Sequence, residues 1–513
     1  MRKPRALAAS SVGLLIGGGC ASLLGLDGVA YRDAEGGGGA ATADASGGTG
    51  TGGFDAPGGA GGAGIATRVA ATVVAGSEAQ RGLGVAVGHN DRVYLLGEFS
   101  GNVVGLPTLP VNAPGPPDTL LVSFNGDLTP VWTRTFGGEG RVPAAMAVDA
   151  SSVFVAATNG SRNLDLGEAG AITPAPCVIP ETSGTCLRND VVAFKYDLDF
   201  DLRWWRAGGV ANGDERSEGI AILDGDPVFL ASYARAQSLF GLTLPDVENR
   251  TGLVVRLRDE TIAGADGWVT PIGNPNRRNI PRAIAADGDD VGALVNTDNA
   301  SGVRGLDLHR LGPDGTPSWT DAVSWEGHAD GRDLTADGDG GFVLAARLLA
   351  PISGPVAVSP VGDADGVLIH VGDDRSAEVV AQFEGDVRHL CLAATAAGGW
   401  VVGGSFVGDL GVGPPTTTLG GDPVATSGFV LELDAAGQLA WSPLTFAGSD
   451  TGEVEVRDLA LAPNGDILVT GSWRGGVNFA GTLLESVPAA GSSDAPDAAY
   501  DAYVQRYRRP AAP

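Results

Sequence analysis

Residues 144–158, AAMAVDASSVFVAAT, together with 189–197, NDVVAFKYD, and 202–209, LRWWRAGG, decide the fold of this chain. Each segment alternates apolar and polar side chains over four to eight residues, the pattern of a half-buried strand, and Asp, Asn and Gly between them supply the turns. AAMAVDA and SVFVAAT make a hairpin, NDVVAFKYD follows a long loop, and LRWWRAGG closes a four-strand unit. The same unit recurs. Its first pattern begins near Leu83, Ala144, Gly219, Arg282, Asp333, Leu390 and Asp458. A repeat of that length means a propeller or a solenoid. The third-strand copies are DTLLVSFNGD, NDVVAFKYD, TGLVVRLRD, GLDLHRLG, DGVLIHVGD, SGFVLELDAAG and YDAYVQRYRR, and the last runs to the end of the sequence given.

The seventh copy therefore has no fourth strand of its own. Ahead of the first repeat, RVAATVVAGSEAQRG at 68–82 reads like the fourth strand and exit loop of PVWTRTFGGEGR. The expectation is an all-β fold, a seven-bladed β-propeller of four-stranded blades over residues 66–510, closed by the N-terminal strand completing the last blade. Closure removes sheet edges that would otherwise template aggregation. An open solenoid would need capping units instead.

Trp recurs near the start of the fourth strand, at Trp132, Trp204, Trp268, Trp319 and Trp441. A large aromatic once per unit suits the wedge between neighbouring sheets, so these five are expected to pack between blades, with an aromatic ligand platform as the alternative. An Arg recurs in the link from each fourth strand to the next first strand: Arg81, Arg141, Arg216, Arg278, Arg332, Arg388 and Arg457. In a propeller these links surround one mouth of the axis, where planar guanidinium forks could hold carboxylates or phosphates of a glycan. The competing reading is local pairing, because Glu78, Glu139, Glu215, Asp330, Asp386 and Glu455 occupy the same links. Arg is also the default cation here, with 31 arginines and two lysines.

DTLLVSFNGDLTPVWTRTFGG, NDVVAFKYDLDFDLRWWRAGG and FVLELDAAGQLAW resemble the units of bacterial β-propeller repeat (SBBP-like) proteins, which read as an Asp-containing hairpin, then DxFVxKxDxxG, then LxWxxxFGG. The resemblance covers roughly residues 66–510. Copies four and five lack the FGG ending. Because the family is abundant in lipoproteins of the myxobacterial type, the resemblance implies a propeller and an envelope address, and no particular chemistry.

Arg2, Lys3 and Arg5 precede an uncharged run from Ala6 to Leu26, which reads as an export signal. Residues 1–20 form the expected signal peptide, ending lipobox-like at LLIGGGC, with Cys20 the lipidation site. An uncleaved helical anchor and ordinary secretion are the alternatives, since a run of about 20 residues can span a bilayer. Ala21 after the cysteine, by resemblance to lipoproteins, favours the outer membrane or cell surface. Residues 21–65 are rich in Gly and Ala and read as a disordered tether with a reach of roughly 35 to 40 Å. Cys177 and Cys186 share one long loop and are expected to form a disulfide in an oxidising compartment. Cys391, in HLCLAAT, reads as a buried small hydrophobe.

The formal net charge of −28 repels nucleic acid and anionic lipid globally, so no nucleic-acid partner is expected. His89, His309, His328, His370 and His389 show no HxH or HExxH spacing, and no GxSxG elbow occurs. The Asp-rich stretches 287–290, 337–341 and 363–366 admit calcium as an alternative, but none completes an EF-hand loop, and Asp-Gly is a hairpin turn pair. No cofactor is expected. The leading functional expectation is a monomeric, extracytoplasmic, non-catalytic scaffold that binds protein or glycan. Two alternatives stand beside it. A quinoprotein-like enzyme also repeats a turn before Trp, although the Asp-to-Trp spacing in LDAAGQLAW is one residue shorter than that family's motif. An envelope-assembly scaffold would resemble the propeller lipoprotein that supports outer-membrane barrel insertion.

Overall fold

The computed structural model describes residues 64–510, apart from 77, 89, 105, 107–110, 137–143, 160–163, 166–170, 173–189, 209–214, 234–237, 241, 245–249, 259–266, 275, 299–303, 414–415, 449–451, 480–481 and 486–499. The expected signal peptide, Cys20, nearly all of the tether, Arg141, Cys177 and Cys186 lie outside the described residues. Among the described residues every regular element is a β-strand, and no helix is long and apolar enough to cross a membrane.

The strands pair in successive antiparallel runs of four. The first run is Gln80–Val87, Val93–Val104, Val111–Phe124 and Pro130–Phe136. The second is Ala144–Val148, Ser152–Asn159, Asp190–Asp197 and Leu202–Gly208. The third is Arg216–Leu223, Asp226–Tyr233, Thr251–Arg256 and Trp268–Ile272. In the fourth, Arg278–Asp287, Asp290–Asp298 and Arg304–Leu311 are followed by the opening residues of Val323–Ala336. The rest of Val323–Ala336 starts the fifth run, with Phe342–Ser353, Asp365–Val371 and the opening of Ala377–Ala394. The end of Ala377–Ala394 starts the sixth, with Trp400–Val412, Thr426–Leu433 and Leu444–Gly448. The last run is Glu453–Leu461, Ile467–Arg474, Asp501–Arg508 and, from the other end of the chain, Thr67–Gly76. Shared long strands and short edge pairings merge several of these runs into larger sheets.

Two of the links are strand rather than loop. Where copies four and five lack the FGG ending, the chain passes from one run into the next inside a single long strand, bending at register shifts beside Gly327 and Gly385. Gly327 has a φ of 143°, which a side chain would resist.

The tight turns repeat as faithfully as the strands. In 197–201 the Phe200 N–H donates to the Asp197 carbonyl, and the same bond joins Leu128 to Asn125, Gly315 to Gly312, Arg375 to Gly372 and Gly437 to Asp434. The fourth residue of each turn is left-handed, which Gly315 and Gly437 adopt freely and Leu128, Phe200 and Arg375 adopt at a conformational cost.

The core lies between runs rather than within one. Seven clusters of buried apolar side chains are described, each drawn from two runs that follow one another. Tyr94, Leu121 and Phe136 of the first run pack with Val155, Phe194 and Tyr196 of the second. Val74, Leu468 and Val504 of the last run pack with Val85, Leu95 and Val122 of the first. Each buried Val, Leu or Phe contributes roughly 1.5 to 3 kcal/mol relative to exposure. The five tryptophans sit at these seams. Trp132 stacks on Phe200 of the second run at 3.6 Å between centroids. The indole of Trp268 donates to Pro313 O at 2.8 Å, and that of Trp319 to Asp373 O at 3.1 Å, each into the following run. Trp204 packs beside Phe154, and Trp441 is buried with its Nε1 on Glu432 Oε2 at 2.6 Å. Trp319 and Trp441 stand in the turn before the fourth strand, not on the strand itself.

Candidate functional site

Among the described residues, six first strands carry a register shift at one equivalent place: Gly82/Gly84, Ser217/Gly219, Pro281/Ala283, Gly331/Asp333, Val387/His389 and Val456/Asp458. A bulge leaves one residue unpaired and re-aims its side chain. The unpaired residues are Leu83, Glu218, Arg282, Arg332, Arg388 and Arg457, so four of six are arginine.

These arginines meet carboxylates two residues upstream or one run away. Asp330 is shared, with Arg282 Nη2 on its Oδ1 at 2.8 Å and Arg332 Nη2 on its Oδ2 at 2.9 Å. Asn296 Nδ2 also donates to Asp330 Oδ1 at 2.5 Å. Arg388 Nη2 lies 2.6 Å from Asp386 Oδ2, whose other oxygen faces Arg347 Nη2 at 3.5 Å. Arg457 grips Glu455 Oε2 through Nε at 3.0 Å and Nη2 at 2.6 Å. Arg282 and Arg332 are deeply buried, with side chains 5% and 10% exposed, whereas Arg388 is 50% exposed and marks the solvent side.

The charges form one network. Burial, with Arg282, Arg347 and Arg457 adding like-charge repulsion, pushes Arg332 down to about 10 despite Asp330. Burial alone would raise Asp330, but Arg282, Arg332 and Arg304 outweigh it and hold its carboxyl below the usual range. Glu455 is likewise held low, burial being overcome by Arg457 and Arg81. Glu218 goes the other way, raised by burial to about 7 against the pull of Arg282, Arg250 and Arg216. Five guanidiniums, of Arg282, Arg332, Arg347, Arg388 and Arg457, thus face the carboxylates of Asp330, Asp386 and Glu455, with the Glu218 carboxyl near Arg282. A chain of net charge −28 is locally cationic here.

The residue after three of the bulges reaches the next run. Asp333 Oδ2 accepts from Leu392 N at 2.8 Å, and the Nε2–H of His389 donates to Arg457 O at 2.7 Å. Asp458 Oδ2 accepts from Val85 N at 2.8 Å, joining the last run to the first. Burial, followed by the neighbouring Asp333, raises Asp458 to about 8, and burial raises Asp333 to about 6. Burial and then Arg457 push His389 down to about 3, so it is neutral. Beside them Cys391 is buried with a free thiol, raised well above its ordinary value by burial.

The sequence-predicted arginines divide accordingly. Arg332, Arg388 and Arg457 sit at bulges and pair with Asp330, Asp386 and Glu455, as the local-pairing reading expects. The structure sets all six described members on strands rather than in connecting loops. Arg81 lies two residues before its bulge, buried, its guanidinium 5.1 Å from the Tyr500 ring, which Arg474 also faces at 5.2 Å. Arg216 opens its strand near Glu218. Arg278 is half exposed, 3.9 Å from Asp298, and outside the network. Arg282 takes its place, and Arg347, from a second strand, is a further member with no counterpart in the predicted set.

His309 and His370 and two of the Asp-rich stretches serve packing and turns. His309 is half-buried, its ring accepts from Gly273 N–H at 3.1 Å, and desolvation lowers it to about 4. It borders a cavity of about 370 Å³ with Asp307, Arg310 and Trp319. His370 Nε2 lies 2.8 Å from Asp337 Oδ2, while Asp337 Oδ1 accepts from Asp339 and Gly341 N–H in its hairpin turn. Asp287 and Asp290 flank another hairpin turn. Among the described residues no group of three His, Cys, Asp or Glu side chains is placed to hold a metal ion.

No family model matches this chain, and no curated protein matches it. Solved structures that this chain matches include the subtype N10 neuraminidase-like protein of A/little yellow-shouldered bat/Guatemala, at 9% identity and a TM-score of 0.34, covering 86% of this chain and 100% of that one. A puromycin-hydrolyzing peptidase of Mycobacterium tuberculosis matches at 10% identity and 0.39, covering 82% of this chain and 63% of that one. The tail fiber of Staphylococcus aureus phage P68 matches at 7% identity and 0.21, over 82% and 95%.

Proposed function

We propose that this chain is an extracytoplasmic, lipid-anchored scaffold built on a closed seven-bladed propeller, which holds its ligand by contact rather than by chemistry. The observation that carries the reading is the order of first-strand neighbours. Gln80–Val87 adjoins Ala144–Val148, and the adjacency continues through Arg216–Leu223, Arg278–Asp287, Val323–Ala336 and Ala377–Ala394 to Glu453–Leu461, which adjoins Gln80–Val87 again. The Val85 to Asp458 hydrogen bond and the seam of Val74, Leu468 and Leu95 support the same closure. Within such a ring the bulged arginines converge on the axis, a surface suited to contact recognition. Asp330, Asp386 and Glu455 are engaged by guanidiniums, and Asp333 and Asp458 by backbone N–H groups, which favours charge pairing over proton transfer. The basic residues 2–5, the uncharged run and Cys20 support export and lipidation.

Class averages from electron microscopy should resolve a ring of seven blades. An open array or another blade number refutes the fold proposed here. Cys20→Ser should move the protein from the membrane to the soluble fraction, and a variant that stays with the membrane refutes the lipid anchor.

A further inference from the structure

We propose that Arg282, Arg332, Arg347 and Arg457 form an oxyanion-binding site that takes a carboxylate or phosphate group of the ligand. This deepens the scaffold reading and rests on it. Three observations carry it. One carboxylate, Asp330, is shared by two buried guanidiniums, and the further carboxyl beside Arg282, that of Glu218, is raised by burial to about 7. The Nε–H groups of Arg282, Arg332 and Arg347 are buried and donate to no described group, although each of these side chains already spends an Nη on a carboxylate. The cluster sits in a strongly acidic chain, where dispersed arginines would pair readily with the excess Asp and Glu.

A buried donor without a partner and a buried charge without a counter-ion are both costly, and an oxyanion offsets both at once. The guanidinium plane directs the choice of ligand. With Nη2 committed to Asp330 or Asp386, the Nε–H of Arg282, Arg332 and Arg347 remains to donate, a charged donor that suits a carboxylate or phosphate oxygen. The half-exposed Arg388 lies at the solvent side, so an anionic group approaching from there passes one guanidinium before meeting the buried ones. Arg457 extends the patch into the last run, and Arg332 feels its charge. An ammonium ligand or a neutral sugar gains nothing from this arrangement.

The test is calorimetric titration of the full chain, at low ionic strength, with inorganic phosphate in one arm and glucuronate in the other. Binding of phosphate alone assigns a phosphorylated ligand, binding of glucuronate alone a carboxylate sugar, and binding of both a general oxyanion site. All three support the proposal. Arg332→Gln should weaken binding roughly ten- to hundredfold, as expected for loss of a charged hydrogen bond. Arg203→Gln, at an exposed pair with Asp197, should bind as the parent does. Should Arg332→Gln fail to fold, Arg347→Lys keeps the charge but loses the Nε–H donor, and is expected to weaken binding about tenfold. Silence toward both anions, or parental affinity in both cluster variants, overturns the site. A seven-bladed ring that ignores both anions overturns this inference alone, whereas an open array overturns the reading beneath it.

Discussion

Raising the pH should loosen the seam between the last run and the first, and Asp458 is the group responsible. Its carboxylate is buried and receives Val85 N and Leu459 N, each at 2.8 Å. Those two donors do not compensate for lost hydration and the nearby Asp333, so its pKa stands near 8 in the fold against an ordinary 3.8. The folded state therefore binds the proton more tightly than the unfolded chain. The stability this proton confers is present at low pH and is lost as pH rises through about 8. Between about pH 5 and about pH 9 the folded and unfolded proton affinities differ over roughly three pH units, at about 1.4 kcal/mol each. The expected loss is on the order of 4 kcal/mol. Asp458→Asn removes the titration but cannot accept from both N–H groups, so it should cost about 1 to 3 kcal/mol at the acid end. Urea midpoints across this range should fall more steeply for the parent than for the variant, in which Glu218 and Asp333 still titrate, with the two curves crossing. Parallel curves between about pH 7 and about pH 9 would refute the assignment.

Arg506 binds Asp466 at 2.8 Å and reaches Asp91 Oδ2 and Gly126 O of the first run at 2.7 Å, and its side chain is 5% exposed. Arg506→Ala leaves Asp466 buried without its main partner and should destabilise by about 3 to 5 kcal/mol in urea unfolding; a loss under 1 kcal/mol contradicts the seam described. Arg375 holds a φ of 69° in an exposed turn, so Arg375→Gly should raise stability by roughly 1 kcal/mol, and an unchanged or lower midpoint speaks against strain there. The Cys391 thiol should resist iodoacetamide in the native state and label only on unfolding, as read by peptide mass spectrometry.

The strands were legible because alternation and turn chemistry agree wherever a hairpin is needed. All seven third-strand segments read from sequence are strands in the structure, from Val111–Phe124 to Asp501–Arg508. The pairing of Thr67–Gly76 with Asp501–Arg508 was legible for a subtler reason: RVAATVV repeats the spacing of PVWTRTF, a fourth strand with no third strand before it. The arginine register was not. PRAIA, GRDLT, VRHLC and VRDLA align Arg282 with Arg332, Arg388 and Arg457, but a link-based reading selects Arg278, four residues early, because bulges leave no mark in an alternation pattern. Arg347 was hidden by its place in a second strand, where an Arg among Leu and Ala reads as an ordinary outward position. The long strands of 323–336 and 377–394 were visible only as missing glycines. Trp319 and Trp441 fall short of their strands because the chain leaves the same turn through an isolated bridge, Leu311 to Pro317 and Leu433 to Leu439, and the fourth strand begins only at Val323 and Leu444.

The pairing of Thr67–Gly76 with Asp501–Arg508 fixes a schedule for biogenesis. Synthesis delivers the amino-terminal strand first and its partner last, so that strand waits, backbone unsatisfied, through more than four hundred intervening residues. Contacts so distant in sequence make for slow maturation, and any chaperone that attends this chain has the longest task at its beginning. By the same logic a permuted gene that joins the two ends and opens elsewhere between runs should encode a molecule that matures sooner.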